Sequence, residues 1–230
     1  MTEISIDDIK TRVRLTLDEV LSNESENFEG EDDTQLDNVI SSKAVEALRF
    51  VHGNAESSLL ESGEYTDSFE SLAAVERGEK SFTPVRLYLG GEFLRLVKVE
   101  CSEWSRSVTS HLSFDDVEYS KQKNYLTIAT PERPLVFLGR HLDPVGEDEQ
   151  GYCVELYSVR TPQDATYRVG YLNEPELLND KLKVCDKLVD AFIYYLSGLV
   201  LLVLNDAHAD DCFNMSNVLM GVTAQKANEN

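Results

Sequence analysis

Residues 181–204 read KLKVCDKLVDAFIYYLSGLVLLVL, and how this stretch is read decides the organisation of the chain. In its first half Leu182, Cys185, Leu188 and Val189 recur at helical spacing and predict one amphipathic face. From Ala191 to Leu204 there is no charged residue. At about 1.5 Å per residue that run spans roughly 21 Å, short of the roughly 30 Å hydrocarbon core of a bilayer, so a membrane anchor is not expected. Tyr194, Tyr195, Ser197 and Gly198 suit a packed protein interior. One long helix is therefore expected, surrounded on all faces by its own domain or by neighbouring subunits. An aspartate at Leu199 or Leu202 should then break the fold. Asn205-Asp206 ends the run. A last helix is expected from about Ala209 to Met220, carrying Phe213, Val218 and Leu219, with a polar tail from Val222.

Two more helical stretches lie at the other end of the chain. Ile6, Ile9, Val13, Leu17 and Val20-Leu21 form an apolar stripe, with Ser5 as its N-cap and Asp7 and Asp8 in the first turn. Leu36, Val39, Ile40, Ala44, Val45, Leu48 and Val51 repeat the pattern; Asp33 or Thr34 is the candidate cap, and His52-Gly53 the candidate stop. Between them, Glu24 to Asp37 holds seven acids and no base. Glu24 to Asp33 is expected to be a solvated loop closing a helical hairpin. Residues 55–80 carry weaker helical patterns around Leu59-Leu60, Phe69, Leu72-Ala73 and Val75, broken by Gly63 and Gly78.

From residue 82 the period changes to two. Val85–Leu89 and Phe93–Val99 flank Gly90-Gly91 and predict a β-hairpin. Further strands are expected at Tyr125–Ala129, Pro134–Leu138, Tyr152–Val159 and Tyr167–Tyr171, with an acidic turn from Gly146 to Gly151. The expected fold class is α+β. A helical domain is built from residues 1–80 and 176–230, and a small antiparallel β-domain, residues 81–175, is inserted in it.

Charge bounds the function. The 230 residues hold 42 acids against 21 bases, for a net charge of −21 at pH 7 and a pI of about 4.5. The first 80 residues hold 20 acids against 7 bases and carry most of the excess. Such a chain repels nucleic-acid phosphates and anionic membrane surfaces. Met1 to Ser5 has neither the basic nor the apolar region of a secretory signal, which predicts a protein that stays in the cytoplasm where it is made.

No local chemistry stands out. The phosphate-binding GxxxxGK[ST], dinucleotide GxGxxG and hydrolase GxSxG patterns are missing. Cys101, Cys153, Cys185 and Cys212 form no CxxC pair and are expected to be free buried thiols. His208 with Asp206, Asp210 and Asp211 has metal-binding residue types. It lies between two helices, where caps are needed, and its spacing fits no known ligand pattern. His52, His111 and His141 share no motif. Trp104, the single tryptophan, is expected in a core or at a sheet edge. No catalytic, cofactor or metal residues are assigned.

The order helix, acidic loop, helix, inserted β-region, long apolar helix and short helix resembles the head–tail connector (adaptor) proteins of tailed bacteriophages. The resemblance is carried by Phe192-Ile193-Tyr194-Tyr195-Leu196-Ser197-Gly198-Leu199-Val200 and by His208-Ala209-Asp210-Asp211-Cys212-Phe213-Asn214-Met215. Within the insertion, Trp104–Val108, Tyr119–Asn124 and Pro131–Pro134 are similar to ring proteins of crAss-like, podovirus-type phages. What the resemblance implies is a structural virion protein of the tail or neck, made in the host cytoplasm and not an enzyme. It would form a homo-oligomeric ring of about twelve subunits against a portal protein and other tail ring or hub proteins. Genomic DNA would pass through its channel without specific binding, a role with which the acidic composition agrees. Two alternatives remain open: a cytoplasmic protein-binding module that uses the β-domain, and an enzyme with a site near His208.

Overall fold

In a computed structural model the chain is a mixed α+β protein, described over residues 1–21, 33–77, 80–124, 126–140 and 151–222. The expectations for the acidic stretch before Asp33, for Tyr125, for His141, for the turn at Gly146 and for the tail from Thr223 fall outside these residues. In chain order the elements are β1 (Thr2–Ser5), α1 (Ile6–Leu21), α2 (Asp33–Asn54), β2 (Glu64–Thr66), β3 (Phe69–Ser71), β4 (Val75–Arg77), β5 (Lys80–Phe82), β6 (Val85–Tyr88), β7 (Phe93–Cys101), β8 (Leu112–Ser113), α3 (Val117–Lys121), β9 (Leu135–Arg140), β10 (Tyr152–Tyr157), β11 (Tyr167–Asn173), β12 (Lys181–Val184), α4 (Val189–Val203) and α5 (Ala209–Leu219). Two compact units result: Met1–Glu61 with Glu174–Asn230, and Ser62–Asn173.

In the helical unit α4 packs against α1, α2 and α5. Ile9 and Val13 of α1, Ile40 and Leu48 of α2, and Phe192 and Leu196 of α4 are fully buried. Ser5 caps α1 as expected, its Oγ accepting from Asp8 N–H at 3.1 Å. Helix α4 ends where Asn205 turns left-handed (φ 57°). The Asn205 amide donates to Leu202 O at 3.1 Å and the Asp206 amide to Leu201 O at 2.9 Å, the pair of bonds that closes a Schellman cap. Gly221 (φ 74°) closes α5 in the same way, with amide bonds from Gly221 to Val218 and from Val222 to Asn217.

The stretch 181–204 is not one helix. Lys181 to Val184 alternates exposed and buried, a period of two, and pairs antiparallel with β1 from Thr2↔Val184 to Ser5↔Lys181. The strand is launched by a tight turn in which Asn179 and Asp180 both adopt positive φ, 50° and 56°. Leu178 and Lys181 exchange two backbone bonds of 3.0 Å across it. A 3₁₀ turn at Asp186–Leu188 then leads into α4. The stop expected at His52-Gly53 falls within one residue: α2 ends at Asn54. The His52 ring is buried and its Nε2 accepts from the Cys185 amide at 3.3 Å.

In the β unit, β3, β6, β10, β9 and β8 form a five-stranded sheet in that order, and β2, β11 and β7 a three-stranded one. Val85, Leu87, Val136, Val154 and Leu156 of the first share one core with Leu96, Val99 and Val169 of the second. The strands expected near Pro134, Tyr152 and Tyr167 are present as β9, β10 and β11. The hairpin across Gly90-Gly91 is not. The turn exists, with Phe93 N–H donating to Gly90 O at 3.2 Å, but its two strands enter different sheets. β6 pairs with β3 and β10, and β7 with β11. Leu126 to Ala129 is turn and irregular backbone, not strand. The helical patterns expected in 55–80 correspond to a 3₁₀ turn at Ser57–Leu59 and to strands β2 to β5.

Candidate functional site

The residues singled out for chemistry in the sequence do not converge. Asp206 Oδ1 accepts from the His208 amide at 2.8 Å and lies 2.9 Å from His208 Nδ1. The bond from the His208 amide, then that from its ring, holds the Asp206 carboxyl below the usual range, so this pair shapes the turn that opens α5. Asp210 and Asp211 stand exposed in the first turn of α5, where the helix dipole favours them. Among the described residues no three His, Cys, Asp or Glu side chains are grouped to hold a metal. His52 lies in the helical core, and His111 just before β8. All four cysteines are buried and free. Trp104 is buried in the shared core of the two sheets.

Two arrangements do bring functional groups together. The first is apolar and belongs to the helical unit. Helix α5 lays Cys212, Ser216 and Met220 inward, and its approach to α4 is close: the Phe213 ring lies where a Cβ on Gly198 would be, 2.6 Å from it. Ser216 Oγ donates to Ala191 O at 2.8 Å across the same contact. The outward side of α5 is mixed, with Met215 and Val218 exposed beside Asp211 and Asn214. Val218 is 72% exposed, and Val222 is exposed past the cap. Nor is α4 surrounded by the described residues, because its end exposes Leu202 (60%), Val203 and Leu204. That corrects the expectation for Leu202, where an aspartate would meet water. Midway along α4, Phe50 of α2 stacks on Tyr195 at 4.2 Å and 8°, and Tyr195 meets Phe213 at 5.2 Å. No described helix is long and apolar enough to cross a membrane.

The second arrangement is polar and belongs to the β unit. The registers align Glu70, Arg86, Glu155, Phe137 and Leu112 in one row across the five-stranded sheet. Glu155 is fully buried on the face opposite the shared core. Its Oε1 accepts from Arg86 Nε at 3.1 Å and Nη2 at 2.7 Å. Its Oε2 accepts from the hydroxyls of Tyr119 at 3.0 Å and Tyr157 at 3.1 Å. Tyr88 OH reaches Glu70 Oε2 at 2.7 Å at the end of the row. Burial, reinforced by the Glu155 charge, raises both Tyr119 and Tyr157 and keeps them as donors. Burial works to lower Arg86, but its bonds to Glu155 and Tyr88 and the Glu155 charge outweigh that and raise it. Cys153, on the same strand face, is pushed up to about 11, chiefly by burial. This cluster escaped the sequence reading, although a lone acid inside the apolar run Tyr152-Cys153-Val154-Glu155-Leu156-Tyr157 is a visible signal. Its groups bond one another and so tie β6, β10 and α3 together on this face of the sheet.

No protein-family model matches the chain, and no curated protein matches it.

Proposed function

We propose that the chain is a structural virion protein, a ring-forming head–tail connector that joins the portal to the tail and forms part of the DNA channel. The observation that carries this reading is the exposure of large apolar side chains on the outward side of α5. Met215, Val218 and Val222 stand outward while the helix already buries its other face on α4. Leu202, Val203 and Leu204, at the C-terminal end of α4, add further exposed apolar side chains to the same unit. Met215 and Val218 and the aromatic surface of Phe50, Tyr195 and Phe213 point in different directions around the helix. One copy's Met215 and Val218 meeting the next copy's aromatic surface is a head-to-tail contact, the kind that closes into rings.

A net charge of −21 agrees with a channel wall that gives DNA no grip. The partners in this reading are about a dozen copies of itself, a portal protein and other ring or hub proteins of the neck. The core of the reading is adaptor-like: α1, α2 and α5 arranged about α4.

Light scattering and negative-stain microscopy of the purified chain, alone and co-expressed with a portal protein, test it. Rings, or a stoichiometric portal complex that survives nuclease, are expected, with no measurable affinity for duplex DNA at physiological salt. A monomer indifferent to the portal would overturn the reading, and so would turnover of a small substrate that is lost in His208→Ala.

A further inference from the structure

We propose that residues 112–124 form a strap that leaves the five-stranded sheet as a unit while the sheet stays folded, uncovering the Glu155 carboxylate and the edge of β9. The inference is independent of ring formation.

The strap is bonded mainly to itself. Ser113 receives the Asp115 amide on its Oγ at 3.2 Å and the Asp116 amide on its carbonyl at 3.1 Å. Asp116 Oδ1 caps α3 by accepting the Glu118 amide at 2.8 Å, and Gln122 Nε2 donates back to Glu118 O at 3.1 Å. These bonds survive if the segment moves whole.

Its ties to the sheet are few, at β8, Phe114 and Tyr119; two further bonds join it to the segment before β9, from the Ala129 amide to Gln122 Oε1 at 2.8 Å and from Thr127 Oγ1 to Lys121 O at 2.6 Å. β8 contributes two residues of parallel pairing, Leu112↔Phe137 and Ser113↔Leu138, against the six-residue strand β9. Phe114 lies on the bare backbone of Gly139, where a Cβ would stand 2.3 Å from its ring. Tyr119 sets its ring edge-on to Phe137 and Tyr157 and its hydroxyl on Glu155. The apolar cluster under the strap, Phe137, Tyr157 and Ala129 with Phe114 and Tyr119, is separate from the core shared by the two sheets. Losing it leaves that larger core whole, the condition for a local opening below the global one. A departing Tyr119 takes one of four hydrogen bonds from Glu155, while the Arg86 fork and Tyr157 still hold the carboxylate, so opening creates no orphaned charge.

Hydrogen–deuterium exchange on the full chain tests this by comparing peptides from 112–124 with those of β10. In the wild type the strap should exchange at least about ten-fold faster than β10. Gly139→Ala, made on the sheet side, should expel Phe114 and speed the strap by a further factor of about ten, with β10 and β11 unchanged. Tyr119→Phe keeps the ring and removes only the hydroxyl. It should speed the strap about three-fold and gives the same reading should Gly139→Ala not fold. Strap and β10 exchanging at one rate in the wild type, or quickening together in either variant that folds, would overturn the proposal, as would no change in both variants.

Discussion

The helical unit and the β unit solve burial in opposite ways. Around α4 the core is almost wholly apolar, with Ile9, Ile40, Leu48, Phe192 and Leu196 shut away from water, and the apolar residues left over spill onto the surface at Leu202, Met215 and Val218. The β unit keeps one apolar core between its sheets, yet on the far face of the larger sheet it buries a carboxylate and neutralises it with Arg86, Tyr119 and Tyr157. Apolar packing is tolerant of shape and is satisfied equally well by another subunit. A buried ion pair demands fixed partners and pins the register of β6 on β10. The difference teaches that the helical unit is the one suited to association, and the β unit the one suited to holding a defined shape.

The contrast can be broken most violently at Leu196→Asp. A charge there has no partner among apolar neighbours and should cost about 4 kcal/mol or more, seen as loss of helical circular dichroism and soluble yield. A variant that melts like wild type would refute the all-apolar account of α4.

Next in size is Arg86→Ala, which strands the Glu155 carboxylate and should cost about 3–5 kcal/mol in urea unfolding. Arg86→Met combined with Glu155→Leu should recover most of that loss, because the cost lies in the unpaired charge and not in the missing bridge. Equal losses in the single and double variants would contradict the pairing argument.

A smaller effect is expected at Glu103. Burial works to raise its carboxyl, but the Thr161 hydroxyl and the Arg160 and Thr161 amides, which it accepts at 2.5–2.7 Å, outweigh burial and lower it. Glu103→Gln should cost about 1 kcal/mol, kept low by solvent screening of a partly exposed group. A depressed folded-state pKa stabilises above the unfolded value and is lost as pH falls through the folded one. The gap between wild type and variant should therefore be full above about pH 5 and close at lower pH. A gap that widens on acidification would show the sign to be wrong.

Smallest of all is Leu202→Asp, expected to change stability by less than about 0.5 kcal/mol because the side chain is 60% exposed. A loss of several kcal/mol in dilute monomer would mean that α4 is enclosed after all.

Local signals made much of this fold legible. Ser5 before the stripe of Ile6, Ile9 and Val13 marks the start of α1, and Asn205 marks the end of α4 because left-handed backbone favours it there. What sequence could not supply was pairing at a distance. Lys181 to Val184 suits either period, and β1, from the other end of the chain, decides for strand. The Asn179-Asp180 turn was the local hint. Gly90-Gly91 does make a turn, but β6 and β7 each find a partner far along the chain, in β10 and β11, which no short-range signal reveals. The apolar surface of α5 was half legible: Val218 is visible in the sequence, whereas its direction depends on which face α4 covers.

Sedimentation velocity of the wild type beside Val218→Asp, each with and without a portal protein, tests most directly that the outward face of α5 is an assembly surface. The account predicts a closed species for the wild type, its mass a fixed multiple of 25.9 kDa, and a folded monomer of unchanged helicity for the variant. Wild type and variant sedimenting alike under every condition, whether as monomers or as the same assembly, would contradict it.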